Sequence, residues 1–225
     1  VRDWLIYPCR TPFAVEVAEV IWRREERVAL LADNLPPESE EGWLQAAGEI
    51  GAPVVSASDL APEQLGLAVA IPLITPGLRL AVEVEARQLG AELFPALVDP
   101  TAIVARTAAV GEGGIVNAAA VIAAASTIGR FVHLNRGASV GHHNVIEDYA
   151  TIGPGCVLAG HVRIGRGAFV GAGAVCAPKV AVGANAVVGA GAVVIRDVPA
   201  GAVVVGNPAK PTTGTGGYGS TSVPE

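Results

Sequence analysis

The sequence is poor in most residues that carry chemistry. Aromatic side chains make up 4% of its 225 residues and charged ones 16%, with four histidines and three cysteines in all. So few aromatics exclude a core built on large rings, while a hydrophobic fraction of 51% with 28 glycines fits an interior of small aliphatics. The net charge of −6 excludes a general nucleic-acid-binding surface. The longest apolar runs, over 65–75 and 115–125, fall short of the ~20 residues that a membrane-spanning helix needs. No basic segment followed by an apolar one opens the chain, and Cys9, Cys156 and Cys176 form no paired pattern. Both absences point to a reducing, cytoplasmic setting.

What is present is a repeat. Residues 103–198 divide into sixteen hexads without a break in phase, from IVARTA and AVGEGG to VVGAGA and VVIRDV. The second place holds Val, Ile or Leu fifteen times and Cys176 once. Helices place apolar residues every three or four positions and ordinary strands alternate over short spans, so a period of six fits neither. It fits a β-solenoid, each hexad one flat side with its aliphatic residue inward. Glycines after that anchor, Gly141 and Gly153 among them, suit corners where a Cβ would be costly.

Before the repeat the pattern changes. Short apolar strands are expected over 4–7, 28–32, 53–55, 67–73 and 92–97, and helices over 13–24, 43–50 and 76–89. Thr11 can cap the first helix, with Pro12 at its first position. Residues 35–41 read as a polar loop. The alternation predicts an α/β unit with a mostly parallel sheet, whose ligands sit beyond the carboxyl ends of the strands. That singles out residues 8–11 and 33–34. Three segments follow: an α/β Rossmann-like domain over 1–98, a β-helix over 99–210, and a flexible tail over 211–225.

All four histidines lie in the repeat, and its most polar stretch is NRGASVGHHN over 135–144. His142 follows a corner glycine, and a neutral imidazole is the usual general base near neutral pH. A zinc site needs three ligands. His143 and His161 are three hexads apart and stack if three hexads make a turn, but His133 falls in another column. No metal is expected.

The unbroken hexads, with LNRGASVGHHNVIEDYATIGPGCVLAG (134–160), VVGAGAVV (187–194) and VVVGNPAK (203–210), resemble the left-handed β-helix acyltransferases. The branch containing sialic-acid O-acetyltransferases and bacterial amino-sugar N-acetyltransferases is the most similar, because it joins a Rossmann-like domain to such a helix. The resemblance implies an acetyl-CoA-dependent transfer to an amine or hydroxyl of a nucleotide-linked sugar, in a homotrimer with sites between neighbouring β-helices. His142 falls on the base of the family's V-x-H-[DE] stretch, with a backbone N–H stabilising the oxyanion. The acid that follows the base is replaced by His143, which leaves Glu147 or Asp148 as substitutes. Asn135 matches a residue near the acceptor. Thr151, Gly160, Ala190, Arg196 and Lys210 fall where the family meets CoA. On the acceptor side, Arg10, Thr11 and Asp33 are the candidates, although residues 8–12 carry none of the family's glycines. Two other readings stay open: an acyltransferase for a non-nucleotide small molecule, and a non-catalytic solenoid that binds a ligand or partner.

Overall fold

The computed structural model describes residues 1–9, 11–34, 43–212 and 222–224. The expected loop over 35–41 and Arg10 lie outside them. Strands β1 (Asp3–Ile6), β2 (Arg27–Asp33), β3 (Val54–Ser56) and β4 (Ala68–Ala70) form one parallel sheet in the order β3-β2-β1-β4. Helices α1 (Phe13–Arg23), α2 (Trp43–Ile50), α3 (Pro62–Leu65) and α4 (Pro76–Leu89) connect and flank them. Trp4 and Ile6 pack with Val17, Val20 and Ile21 of α1 in one core. Leu5, Tyr7 and Leu30 join Val82 and Ala86 of α4 in a second. Alternate residues of one strand thus serve two different layers, as a pleated strand requires. No helix among the described residues is long and apolar enough to cross a membrane.

The hexads coil into a triangular solenoid. Two-residue strands pair in parallel with those eighteen positions on, as Thr127 with Val145 and Ile128 with Ile146, so three hexads make one turn. The second-place residues, Val116 through Val194, form one continuous buried column. Each contributes about 1.5–3 kcal/mol on full burial, and repetition supplies what single hexads lack. The third-place glycines are required by close stacking rather than by an unusual backbone. A Cβ on Gly141 would stand 2.7 Å from the backbone carbon of Ala159 on the next turn. The left-handed φ values fall two places later, as at Gly137 (67°) and His143 (57°).

The three faces differ in what covers them. One runs from Leu97–Val98 through His133–Leu134 and Thr151–Ile152 to Val203–Val205, and lies beneath the N-terminal part. Its outward residues Leu97, Ile115, His133 and Thr151 are all buried. The second, including Ile103–Val104, Ser139–Val140, Val157–Leu158 and Val175–Cys176, turns Ile103, Val157 and Val175 outward and exposed. The third carries exposed Thr127 and Arg163 at such positions.

One expectation changes here. The strand expected over 92–97 is instead Leu97–Val98, which pairs with Ile115–Val116 of the solenoid. LVDPTA over 97–102 is an additional hexad, with Val98 in the anchoring place. Of the segment expected as a tail, residues 211–212 and 222–224 are described, and the last of these meet the β-helix. Val223 is 2% exposed and exchanges two hydrogen bonds with the side chain of Asn185, at 2.8 and 3.0 Å.

Arg79 of α4 joins the two parts. Fully buried, it donates to the carbonyl oxygens of Leu73, Tyr149 and Ala150 and to Thr151 Oγ1. Beside it, Glu83 accepts from Arg87, Arg130 and the Tyr149 hydroxyl. His133 lies in the same junction, 5.6 Å from the Phe13 ring. Complete burial, and then the Arg79 charge, hold its imidazole well below the usual range. In the unfolded chain it titrates near ~6.5. Below that pH the unfolded chain takes up a proton that the folded chain refuses. Stability therefore falls with acidification, by up to about 1.4 kcal/mol per pH unit, until the folded-state value is reached. Urea unfolding near pH 7.5 and pH 5 is expected to show this loss, and His133→Leu to remove that share of it. An equal loss in the variant would place the acid sensitivity elsewhere.

Candidate active site

The corner between the covered and aliphatic faces opens into a cleft of about 510 Å³ against the start of α1. Thr11, Pro12 and Phe13 line it from one side, and Asn135, Thr151 and Ala190 from the other. Pro12 has helical dihedrals (φ −54°, ψ −24°), and Thr11 Oγ1 accepts the Phe13 N–H at 3.2 Å, so Thr11 caps the helix as expected. The N-terminal end of α1 thus meets the cleft with the positive end of its dipole, while the Phe13 and Ala14 N–H groups are taken by Thr11 Oγ1 and Thr11 O. Asn135 is 5% exposed; its amide donates to Ile152 O at 3.4 Å and its oxygen accepts from Asn117 at 3.5 Å. Thr151 commits its single proton to Ile74 O at 2.6 Å, so it closes the cleft floor. Asp33, Gly160, Arg196 and Lys210 do not line this cleft. Asp33 is buried at the end of β2, and Arg196 and Lys210 are exposed towards the end of the solenoid.

His142 stands at the other edge of the aliphatic face. Its corner is fixed from within: Ser126 Oγ donates to Gly141 O at 2.8 Å and accepts the Asn144 N–H at 3.1 Å. The fully buried Asn144 side chain then accepts the Val162 N–H at 2.7 Å. Sequence reasoning assigned Ser126 and Asn144 nothing, although their spacing of eighteen places them one turn apart. The exposed His142 and His143 bring their Nδ1 atoms to 3.0 Å. If His142 Nε2 is to accept a proton, Nδ1 must carry one, and His143 Nδ1 is placed to receive it as a hydrogen bond. His143 is thus the side chain in contact with His142 Nδ1 in this corner. Glu147 and Asp148 do not substitute for the missing carboxylate. Glu147 pairs with Arg163 and the Arg166 N–H, and Asp148 with Arg166 and the Arg130 N–H.

Gly160 has a defined part in this corner. A Cβ there would lie 2.7 Å from His142 Nε2, so the imidazole rests over the bare glycine. Gly160→Ala should displace the ring while the β-helix keeps its stability. For an imidazole that takes part in the transfer, a loss of tenfold or more in kcat/KM with an unchanged melting temperature is expected, because a small misplacement of a reacting group is costly. Full activity would mean that this ring position is not the working one.

The chain is thus a triangular solenoid of hexads with a mostly apolar cleft at one corner and an exposed histidine at another. The profile of the bacterial transferase hexapeptide (six repeats) matches residues 145–178. Among solved structures, a His-to-Asn variant of perosamine N-acetyltransferase from Caulobacter crescentus, in complex with CoA and GDP-perosamine, is 32% identical. The match covers 95% of this chain and 98% of that one, with a TM-score of 0.82. The acetyltransferase domain of PglB from Neisseria gonorrhoeae FA1090, in complex with acetyl coenzyme A, is 30% identical over 94% of this chain and 99% of that one, with a TM-score of 0.81. WeeI from Acinetobacter baumannii AYE is 26% identical over 94% and 99%, with a TM-score of 0.78. No curated protein matches the chain. The chain belongs to the left-handed β-helix acyltransferases of the hexapeptide-repeat family, in the branch of bacterial sugar acetyltransferases.

Proposed function

We propose that the protein transfers the acetyl group of acetyl-CoA to an amino group on a nucleotide-linked sugar, with His142 as general base. The observation that carries this reading is the near full-length match to perosamine N-acetyltransferase, held with CoA and GDP-perosamine after replacement of one histidine. The sugar amine attacks the thioester carbonyl, His142 Nε2 takes the amine's proton, and the CoA thiolate leaves. His143 keeps His142 in the working tautomer, and Asn135 orients the acceptor. The 1–98 segment, with its β3-β2-β1-β4 order, serves as a Rossmann-like acceptor domain, and 99–210 as the acyltransferase domain. Thr11 and the α1 N-terminus supply the anion contact that the glycine-free loop after β1 cannot make in the usual way.

The cleft and His142 lie at opposite edges of the same aliphatic face. Three copies that turn this face towards a common axis bring the His142 corner of one against the cleft corner of the next. The exposed Ile103, Val157 and Val175 are then covered. We therefore read the active unit as a homotrimer whose sites each draw on two chains.

The test offers UDP-, GDP-, CMP- and dTDP-linked amino sugars with acetyl-CoA, and follows thiol release and product mass. Acceptor-dependent thiol release with gain of one acetyl group supports the reading. CoA binding without transfer to any nucleotide sugar would favour an acceptor of another kind. No CoA binding would favour a non-catalytic solenoid.

A further inference from the structure

His142, His143 and His161 place one ring nitrogen each within 4.8 Å of one another, all three exposed. The stacking expected for His143 and His161 is present, with ring centroids 4.9 Å apart and planes 19° from parallel. The third ligand is His142, whose ring lies over Gly160 and meets His161 edge-on at 5.1 Å. Column logic pairs position 142 with 160 and so hides this contact. Both backbones are fixed, since the His161 N–H donates to His142 O at 3.0 Å and the His143 N–H to Ala124 O at 2.9 Å. The side chains alone have to adjust.

We infer that the three imidazoles form a binding site for a divalent transition-metal ion such as zinc, which switches the enzyme off by occupying its base. Tetrahedral zinc with Zn–N bonds of ~2.1 Å sets its nitrogens about 3.4 Å apart. Side-chain torsions of exposed histidines can close the present spacing to that. Three imidazoles with water in the fourth position suit zinc, nickel or copper rather than magnesium or calcium. Cys9, Cys156 and Cys176 are buried and offer no competing thiolate. Metal on either nitrogen of His142 removes its ability to accept a proton: Nε2 is occupied outright, or Nδ1 is occupied and Nε2 carries the hydrogen. The inhibition, though not the binding, rests on the proposed role of His142.

The experiment uses tag-free, EDTA-stripped protein titrated calorimetrically with ZnCl₂, and CoCl₂ followed by visible absorption. The wild type is expected to bind one zinc per chain and to give the intense bands of tetrahedral cobalt. His161→Ala and His143→Ala should each weaken zinc binding tenfold or more. No zinc uptake, or uptake unchanged in both variants, overturns the site. In the acetyl-transfer assay, zinc should inhibit the wild type reversibly, and His161→Ala should keep its activity in EDTA and lose the zinc sensitivity. Zinc bound at the three histidines with turnover unaffected would refute the inhibition and count against His142 as base, while leaving the binding site standing.

Discussion

His142→Ala is expected to lower kcat/KM by about 10²–10⁴-fold, the share that a positioned general base contributes. CoA binding should be retained, because the proposed reaction asks the imidazole to take a proton and not to hold the CoA moiety. The histidine is exposed and its corner is secured by Ser126 and Asn144, so the melting temperature should hardly move. His143→Ala should give a smaller loss, since it removes the orienting partner at 3.0 Å and leaves the base. His143→Asp would restore a charged partner. It is expected to recover activity and to move the acid limb of kcat/KM to higher pH, as a carboxylate stabilises the protonated imidazole. Acetyl transfer undiminished by His142→Ala would remove the base from the mechanism.

The second large effect concerns Arg79. Its guanidinium serves three backbone carbonyls and the Thr151 hydroxyl in a fully buried junction. Burial pushes its ionisation down to about 9, so it still carries its charge near neutral pH. Arg79→Met keeps most of the apolar volume but leaves the Leu73 and Tyr149 carbonyls without this donor. An unsatisfied buried polar group costs roughly 1–3 kcal/mol, so a loss of about 3 kcal/mol or more is expected. Arg79→Ala adds a cavity and should lose more. Thr151 and Ile74 form the cleft floor beside this junction, so acceptor KM should rise in whatever folded protein remains. Urea unfolding checks the first effect, and a loss under about 1 kcal/mol would show that the α4 contacts do not need the guanidinium.

The solenoid was readable because its signal is local and repeated: one aliphatic anchor every six residues fixes the inward column whatever surrounds it. The helices over 43–50 and 76–89 were readable for a similar reason, from apolar spacing and from Pro76 at a helix start. The hexad at 97–102 escaped because Asp99 and Pro100 break its look, although Val98 keeps the phase. The order of the four N-terminal strands is set by crossovers that no local pattern encodes.

The site was only half legible. His142 and Asn135 stood out as polar interruptions. The cleft draws residues from 11 to 190 and exists only once α1 lies on the covered face. The histidine trio was missed because column counting assumes that side chains stay over their own turn. A glycine at 160 lets the His142 ring lean onto the next turn, so what matters is a missing Cβ. Val223 gave no signal, because a lone valine in a glycine-rich tail looks like linker; its partner is the Asn185 side chain.

In the proposed reaction, His142 of one chain serves an acceptor held in the cleft of another. Subunit exchange separates this arrangement from a site within one chain. His142→Ala and the cleft-filling Ala190→Trp, each inactive alone, are dissociated, mixed in equal amounts and reassociated. Random assembly of the two joins an intact His142 corner to an intact cleft at about one interface in four. Acceptor-dependent thiol release should therefore return to about a quarter of the wild-type rate. Mixed assemblies that form yet stay inactive would contradict a site shared between chains.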